Sequence, residues 1–178
     1  MFRMRQISMM SELYRPTRRL VDMLLLIEKM TDSIELISGR DDEIEIDVDE
    51  VKAEICGDDA ELQQLILCSV HACRQATGKN RPLIMTASVM RANRTSPGQL
   101  RINIGAAGGV NWEGAGAAAE TAMRVCERII LRSGGSFSTA RSGVQLELPL
   151  AVPLIIMPKI GHVPVDLTKT WETDMSVD

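Results

Sequence analysis

Cysteine and histidine are the residue types in this sequence that could bind a soft metal or act as nucleophiles, and they are few. The chain contains Cys56, Cys68, Cys73, Cys126, His71 and His162. Cys68, His71 and Cys73 are close along one segment, but no CxxC pair and no second Cys or His pair completes a ligand set. No histidine and carboxylate pair accompanies any cysteine as a catalytic partner. We therefore expect neither a metal site nor a catalytic residue, and interpret Cys68 and Cys73 as core thiols.

Composition indicates one soluble domain with an aliphatic, sulfur-rich core. The chain has 178 residues, of which 45% are hydrophobic, 25% are charged and only 3% are aromatic, and it contains 11 Met. So few aromatic side chains argue against a stacking surface for single-stranded nucleic acid. No segment combines the apolar core and the flanks of a secretory signal, and none is long enough to cross a bilayer. We expect a cytoplasmic protein that binds no membrane.

Charge is unevenly distributed along the chain. The net charge is -4, but residues 32–61 hold 13 acidic residues, whereas residues 71–101 hold six Lys and Arg and no acid. The basic residues of the second segment are Arg74, Lys79, Arg81, Arg91, Arg94 and Arg101. Two solvated surfaces of opposite sign explain this better than a specific anion site, although a binding face for an acidic or phosphorylated partner stays open. Nucleic acid is not an expected partner.

Hydrophobic periodicity predicts an α+β fold. A helix with a break is expected over residues 8–38, ending at Gly39, and two half-buried strands over 43–56. Asp58 should cap a second helix that runs to about residue 77. Strands follow at 83–91 and 100–105, then a small-residue loop at 105–116, a helix over 117–133 and two final strands. The pattern predicts a two-layer α/β sandwich whose mixed sheet is covered on one face by helices.

Three segments carry a resemblance to a known family. LQQLILCSVHACRQA (62–76) resembles the N-box helix of sensor histidine kinases, MRVCERIILRSGG (123–135) the helix after their second glycine box, and GVQLELP (143–149) their closing strand. Their order resembles the catalytic ATP-binding domain, the Bergerat fold shared with gyrase B and Hsp90. The resemblance implies an N-terminal helical lead-in (1–19), a histidine-kinase-like ATPase domain (20–150) and a C-terminal tail (151–178).

The N-box resemblance implies that the magnesium ligands are missing. In the family, the second Asn of the N box helps to hold the magnesium ion that bridges the ATP phosphates. The alignment places Cys68 at the first Asn and Ala72 at the second. A methyl group has no oxygen to offer Mg²⁺, and shifting the register by one brings in His71, whose imidazole suits this hard cation poorly.

The glycine boxes are also altered. Residues 104–110 align with the family's first glycine box so that Gly109 is its last Gly and Gly105 replaces the Asp that accepts the adenine amino proton. Glu120 and Ala122 then stand at the two glycines of the second box. A carboxylate at Glu120 would repel phosphate at a helix N-terminus, which otherwise favours anions.

These departures predict a degenerate domain that has lost nucleotide handling, with no cofactor and no phospho-acceptor histidine on a dimerisation helix. The resemblance then implies a protein-binding or regulatory module in bacterial two-component signalling, whose partner is a protein such as a response regulator or a kinase. The alternative is that ATP and Mg²⁺ still bind, and that the domain phosphorylates a His supplied by another chain. A phosphotransfer adaptor fits less well, because it needs its own acceptor His. The chain is either complete or the C-terminal part of a longer kinase.

Two further features have alternative interpretations. Met1, Met4, Met9 and Met10 could pack in a homodimer through the N-terminal helix, or could belong to a frayed terminus. Trp112 lies in the loop that corresponds to the family's ATP lid. It is either an exposed binding anchor or a plug for an empty nucleotide pocket.

Overall fold

A computed structural model describes residues 17–39, 44–78, 81–90, 92 and 98–151 of the chain. Seven strands and four helices are formed within these residues. In chain order they are β1 (Arg19–Asp22), α1 (Met23–Lys29), α2 (Thr31–Ser38), β2 (Ile44–Val48), β3 (Glu54–Gly57), α3 (Asp59–Thr77), β4 (Leu83–Met90), β5 (Gln99–Ala106), α4 (Gly116–Arg132), β6 (Ser136–Ala140) and β7 (Gly143–Pro149).

The main sheet is mixed, as the sequence predicted. Its five strands are ordered β2-β4-β5-β7-β6, and β2 runs parallel to β4 while the other neighbours are antiparallel. β1 and β3 form a separate antiparallel pair in which Arg19 lies opposite Gly57. The α+β class is therefore confirmed.

Alternation along the strands places the core on one face of the main sheet. Leu83 and Met85 of β4 are fully buried. Ile102 of β5 and Leu146 of β7, which pair with each other in register, are also fully buried. Most of the intervening side chains, Ile84 excepted, are polar, and the Asn103 amide donates to Thr86 Oγ1 at 3.3 Å on the other face. Because the apolar side chains of α1, α2, α3 and α4 join the same core, the helices cover one face, as predicted.

The prediction of a helix through residues 19–22 is wrong, because these residues form β1. They pair with β3, and the Met23 amide donates to Ala53 O at 2.9 Å. The Asp22 carboxylate then caps α1 by accepting from Leu24 N at 3.2 Å. The helix is also broken between α1 and α2 at Met30. Residues 8–16 of the predicted helix lie outside the described part of the chain.

The predicted helix caps at Asp58 and Gly39 are confirmed. Asp58 Oδ1 accepts from the amides of Ala60 at 3.0 Å and Glu61 at 3.2 Å, and α3 ends at Gly78. Gly39 follows α2 with φ +103°, a conformation that side chains disfavour.

The first residues after β7 are docked on the domain. The Leu150 amide donates to Gly98 O at 3.0 Å, and the Ala151 amide donates to Glu54 O at 2.7 Å. The rest of the predicted tail, 152–178, and residues 1–16 of the lead-in are outside the described residues.

Two glycines allow β5 and β7 to meet at the 141–143 turn. Gly105 lies opposite Gly143, and a Cβ on Gly105 would stand 1.9 Å from Ser142 O. A Cβ on Gly143, whose φ is +140°, would stand 2.1 Å from Ile104 O. No side chain fits at either position unless the backbone moves, so the end of β5 requires glycine for steric reasons.

We expect Gly105→Ala to destabilise the domain by about 3 kcal/mol, because the turn must separate from β5. Gly108→Ala is the matched control. Its Cβ would meet nothing within 4 Å, so only the strain of φ +87° should count, at about 1 kcal/mol. Urea unfolding of both variants measures the difference. Equal midpoints would show that the turn yields without cost.

Candidate functional site

The residues aligned with the family's nucleotide motifs lie on three elements that meet at one side of the domain. Cys68 and Ala72 are on α3, Glu120 and Ala122 are on α4, and Gly105 and Gly109 lie at the end of β5 and in the loop that follows it. We call the region between α3, α4 and residues 107–115 the α3–α4 contact.

Small side chains fill the α3–α4 contact. Ala72 of α3 and Ala119 of α4 are 0% exposed. They belong to a buried cluster whose other members are Ala76, Val110, Ala115 and Ala122. Alanine methyl groups allow helix backbones to approach closely, and such interiors are packed without gaps. The cleft between the two helices is therefore closed by side chains.

Val110 and Ala115 show that the predicted small-residue loop at 105–116 contributes to a buried cluster. Both side chains are buried in the alanine cluster, and the first two residues of that range extend β5. The small residues here permit close contact between elements.

The backbone of this loop uses its amide donors within the protein. Gly109 N donates to Ala106 O at 2.9 Å, Val110 N to Arg141 O at 2.8 Å and Asn111 N to Ala76 O at 2.9 Å. A phosphate-binding loop needs free amides that point at the anion. Three successive amides are unavailable for that purpose, because each already bonds a carbonyl.

Glu120 is not brought into the alanine cluster. Its side chain is 61% exposed and accepts from Arg124 Nη2 at 2.6 Å, one helical turn away. α4 also begins without a side-chain cap, at Gly116 with φ +75°. Ala122 is buried in the cluster, so the two aligned positions of the second glycine box face different surroundings.

Trp112 is half-buried and tied to the sheet. Its indole Nε1 donates to Ala140 O at 2.7 Å, and the ring packs against both the main core and the alanine cluster. This packing favours a loop folded down onto the domain over an exposed anchor.

A polar groove lies beside the contact, at the end of α3. Its volume is about 570 Å³, and it borders the alanine cluster at Ala76 and Val110. The exposed side chains of Arg81 and Arg141 line it as well. Arg141 lies in the turn between β6 and β7. Its position across from Arg81 depends on the β6–β7 hairpin, and no spacing along the chain signals it.

Among the described basic residues of segment 71–101, two are engaged within the protein. Arg74 is 8% exposed and donates from Nη1 to Arg81 O at 2.7 Å. Arg101 pairs with Glu147 at 2.9 Å, and its hydrogen bond lowers the pKa of that carboxyl. Lys79, Arg91 and Arg94 lie outside the described residues.

The thiols divide into different environments. Cys73 is a core thiol, as predicted: burial raises its pKa to about 12, and its Sγ donates to Ile104 O at 3.1 Å. Cys68 is only half-buried, so the core interpretation holds for it in part. A hydrogen bond with Cys126 lowers the Cys68 pKa to about 7. In the described part of the chain, no three His, Cys, Asp or Glu side chains are grouped to hold a metal ion.

Comparison with known proteins identifies the fold. No family model and no curated protein matches the sequence. The mycobacterial sensor histidine kinase MprB superposes with a TM-score of 0.55 at 15% identity, over 75% of this chain and 98% of that chain. The Acinetobacter baumannii histidine kinase AdeS gives 0.55 at 14% identity, over 84% and 76%. Full-length ShkA in complex with AMPPNP gives 0.54 at 18% identity, over 78% and 32%.

The chain therefore has the fold of the histidine kinase ATP-binding domain, which confirms the resemblance drawn from its motifs. Identities this low establish the fold alone. No helix among the described residues is long and apolar enough to cross a membrane.

Filling of the α3–α4 contact is testable at Ala72. We expect Ala72→Asn, which introduces the residue type that the resemblance implies for this position, to destabilise the domain by about 1–3 kcal/mol, because a larger polar side chain must enter a closed apolar cluster. Gln75→Asn, at an exposed position of the same helix, should change stability by no more than about 0.5 kcal/mol. Urea unfolding provides both values. Similar values for the two variants would mean that the contact has room for an amide.

Proposed function

We propose that this chain is a degenerate histidine-kinase-like ATPase domain that acts as a protein-binding or regulatory module in bacterial two-component signalling, without nucleotide catalysis. The fold supports the family part of this proposal. The loss of nucleotide handling rests on the candidate site.

The observation that carries the proposal is the filled α3–α4 contact. Ala72, which aligns with the family's magnesium-binding Asn, is fully buried against α4. A ligand between these helices would have to separate them and expose the alanine cluster. Burial of apolar surface opposes this at about 25 cal/mol per Å².

The residues at this place do not fit a magnesium nucleotide. Mg²⁺ is bound by hard oxygen ligands in octahedral geometry, whereas the aligned positions offer the Ala72 methyl and the Cys68 thiol. The amides of residues 109–111 are bonded to carbonyls. Gly105, aligned with the adenine-binding Asp, is so close to Ser142 O that no carboxylate could be placed there.

A domain that keeps this fold without binding nucleotide can still bind a protein partner through its surface. The family resemblance implies a response regulator or a kinase as the protein partner. A second copy of the chain is a further candidate, through the Met-rich N-terminal residues that lie outside the described structure.

The groove between Arg81 and Arg141 favours the alternative function. Its volume of about 570 Å³ is within the range of small-molecule sites, and two guanidinium groups would attract phosphate. ShkA, which shares the fold, was solved in complex with AMPPNP. In this alternative, ATP binds at the groove and the domain phosphorylates a His of another chain.

Isothermal titration calorimetry of the purified chain with ATP, with and without Mg²⁺, separates the two functions. We expect no heat of binding at nucleotide concentrations up to about 1 mM, because the contact offers neither a magnesium ligand nor free amides. Micromolar affinity would overturn the proposal. An active histidine kinase ATPase domain, titrated in the same buffer, serves as the positive control.

If ATP binds, Arg81→Ala and Arg141→Ala locate it. Loss of binding in both variants would place the nucleotide in the groove and support the alternative. Radiolabelled ATP incubated with the chain and a candidate acceptor domain then tests phosphoryl transfer, and incorporation on a histidine of the acceptor would establish a kinase.

A further inference from the structure

A pair of thiols spans the α3–α4 contact, and the proposed function does not use it. Cys68 lies on α3 and Cys126 on α4, and both are free. Cys126 Sγ is 3.3 Å from Ser69 Oγ and 3.6 Å from Leu65 O. Leu65, Cys68 and Ser69 are three and four residues apart, so they share the face of α3 on which Cys126 rests. Cys68 itself packs against the core cluster that contains Cys126.

The two thiols differ in access and in acidity. Cys126 is 0% exposed, whereas Cys68 is half-buried and reachable from solvent. The hydrogen bond from Cys126 stabilises the Cys68 thiolate and lowers the Cys68 pKa to about 7. The same contact, together with burial, raises the pKa of Cys126. This lowered pKa favours the Cys68 thiolate, which is the nucleophilic form of the side chain, whereas Cys126 beside it stays protonated.

We propose that Cys68 and Cys126 are a modification site at which a hydroperoxide oxidises the pair to a disulfide that joins α3 to α4. In the first step, the Cys68 thiolate attacks the terminal oxygen of the hydroperoxide, the O–O bond breaks, and the alcohol leaves after taking a proton. Cys68 is then a sulfenic acid. In the second step, the Cys126 sulfur attacks the Cys68 sulfur while its proton passes to the departing hydroxyl group, so the S–O bond breaks and water is released. Two thiols are oxidised and one hydroperoxide is reduced to alcohol and water.

The other two cysteines lack this arrangement. Cys56 is exposed on β3, away from the α3–α4 contact. Cys73 is fully buried in the core, where its raised pKa disfavours the thiolate. Oxidation should therefore be selective, because accessibility and a neighbouring thiol coincide at Cys68 alone among these thiols.

A disulfide at this place would link the two helices across their filled contact. A crosslink between residues so distant along the chain restricts the unfolded state. It would also prevent α3 and α4 from separating, so the oxidised and reduced proteins would differ in how readily this side of the domain opens. The site requires no nucleotide, and its test is independent of the calorimetry above.

Peroxide treatment of the Cys56→Ser variant tests the site. This substitution removes the exposed thiol, which could otherwise form disulfides between molecules. We expect stoichiometric hydrogen peroxide at pH 7 to remove two hydrogens from the intact mass, and peptide mapping to find Cys68 linked to Cys126. Dithiothreitol should restore the mass, and the oxidised protein should unfold at a temperature several degrees higher. Complete alkylation of both thiols after peroxide treatment would overturn the proposal.

Two variants in the same background separate the roles of the thiols. In Cys126→Ser, which keeps the size of the side chain, Cys68 should stop at the sulfenic acid and be trapped by dimedone. In Cys126→Ala, the donor to the thiolate is lost, so the pH at which Cys68 is alkylated at half its maximal rate should rise from about 7 by at least about one unit. An unchanged pH profile would contradict the pairing of the two thiols.

Discussion

Close approach of α3 and α4 is the constraint on which the rest of the candidate site depends. The two helices meet through Ala72, Ala119 and Ala122, side chains that place a methyl group where larger residues would keep the backbones apart. Once the helices are this close, the loop before α4 has little distance to span. It folds onto the end of α3, where Asn111 N bonds Ala76 O. Helix packing therefore determines the loop conformation.

The same constraint connects the helices to the sheet. Val110 N bonds Arg141 O and the Trp112 indole bonds Ala140 O, so the loop is fastened to the β6–β7 hairpin on its other side. The hairpin can stand there because Gly105 and Gly143 let its turn approach β5. Replacement of any one of these small residues would propagate to the others, because packed interiors transmit displacement.

Local sequence signals predicted much of this fold, and contacts between distant residues decided the remainder. Asp58 is a correct cap prediction because its hydrogen bonds reach only two and three residues along the chain. The segment before Met23 could not be assigned in this way. Leu20, Val21 and Leu24 fit a helical period, but the backbone of residues 19–22 pairs with β3 about 35 residues later. Only that pairing distinguishes a strand from a helix there.

The sequence indicates which residue types stand in the candidate site. It does not indicate which side chains and backbone atoms surround them. The family resemblance implies that Ala72 and Gly105 stand where the family has Asn and Asp. It does not indicate that Ala72 is buried beneath α4 or that Gly105 lies against Ser142 O, since both contacts involve residues more than thirty positions away. For the same reason, no local sequence signal places Arg141 near Arg81.

The glycine- and alanine-rich stretch from residue 105 to residue 122 shows why composition alone misleads. Small residues predict a flexible loop when each is considered separately, because they bury little surface. Their effect is different when two helices and a hairpin converge on them, since each missing side chain allows a closer contact. That closeness closes the space between the helices. It also brings Cys126 against the face of α3 that carries Cys68, so the packing that fills this side of the domain also places two thiols near each other.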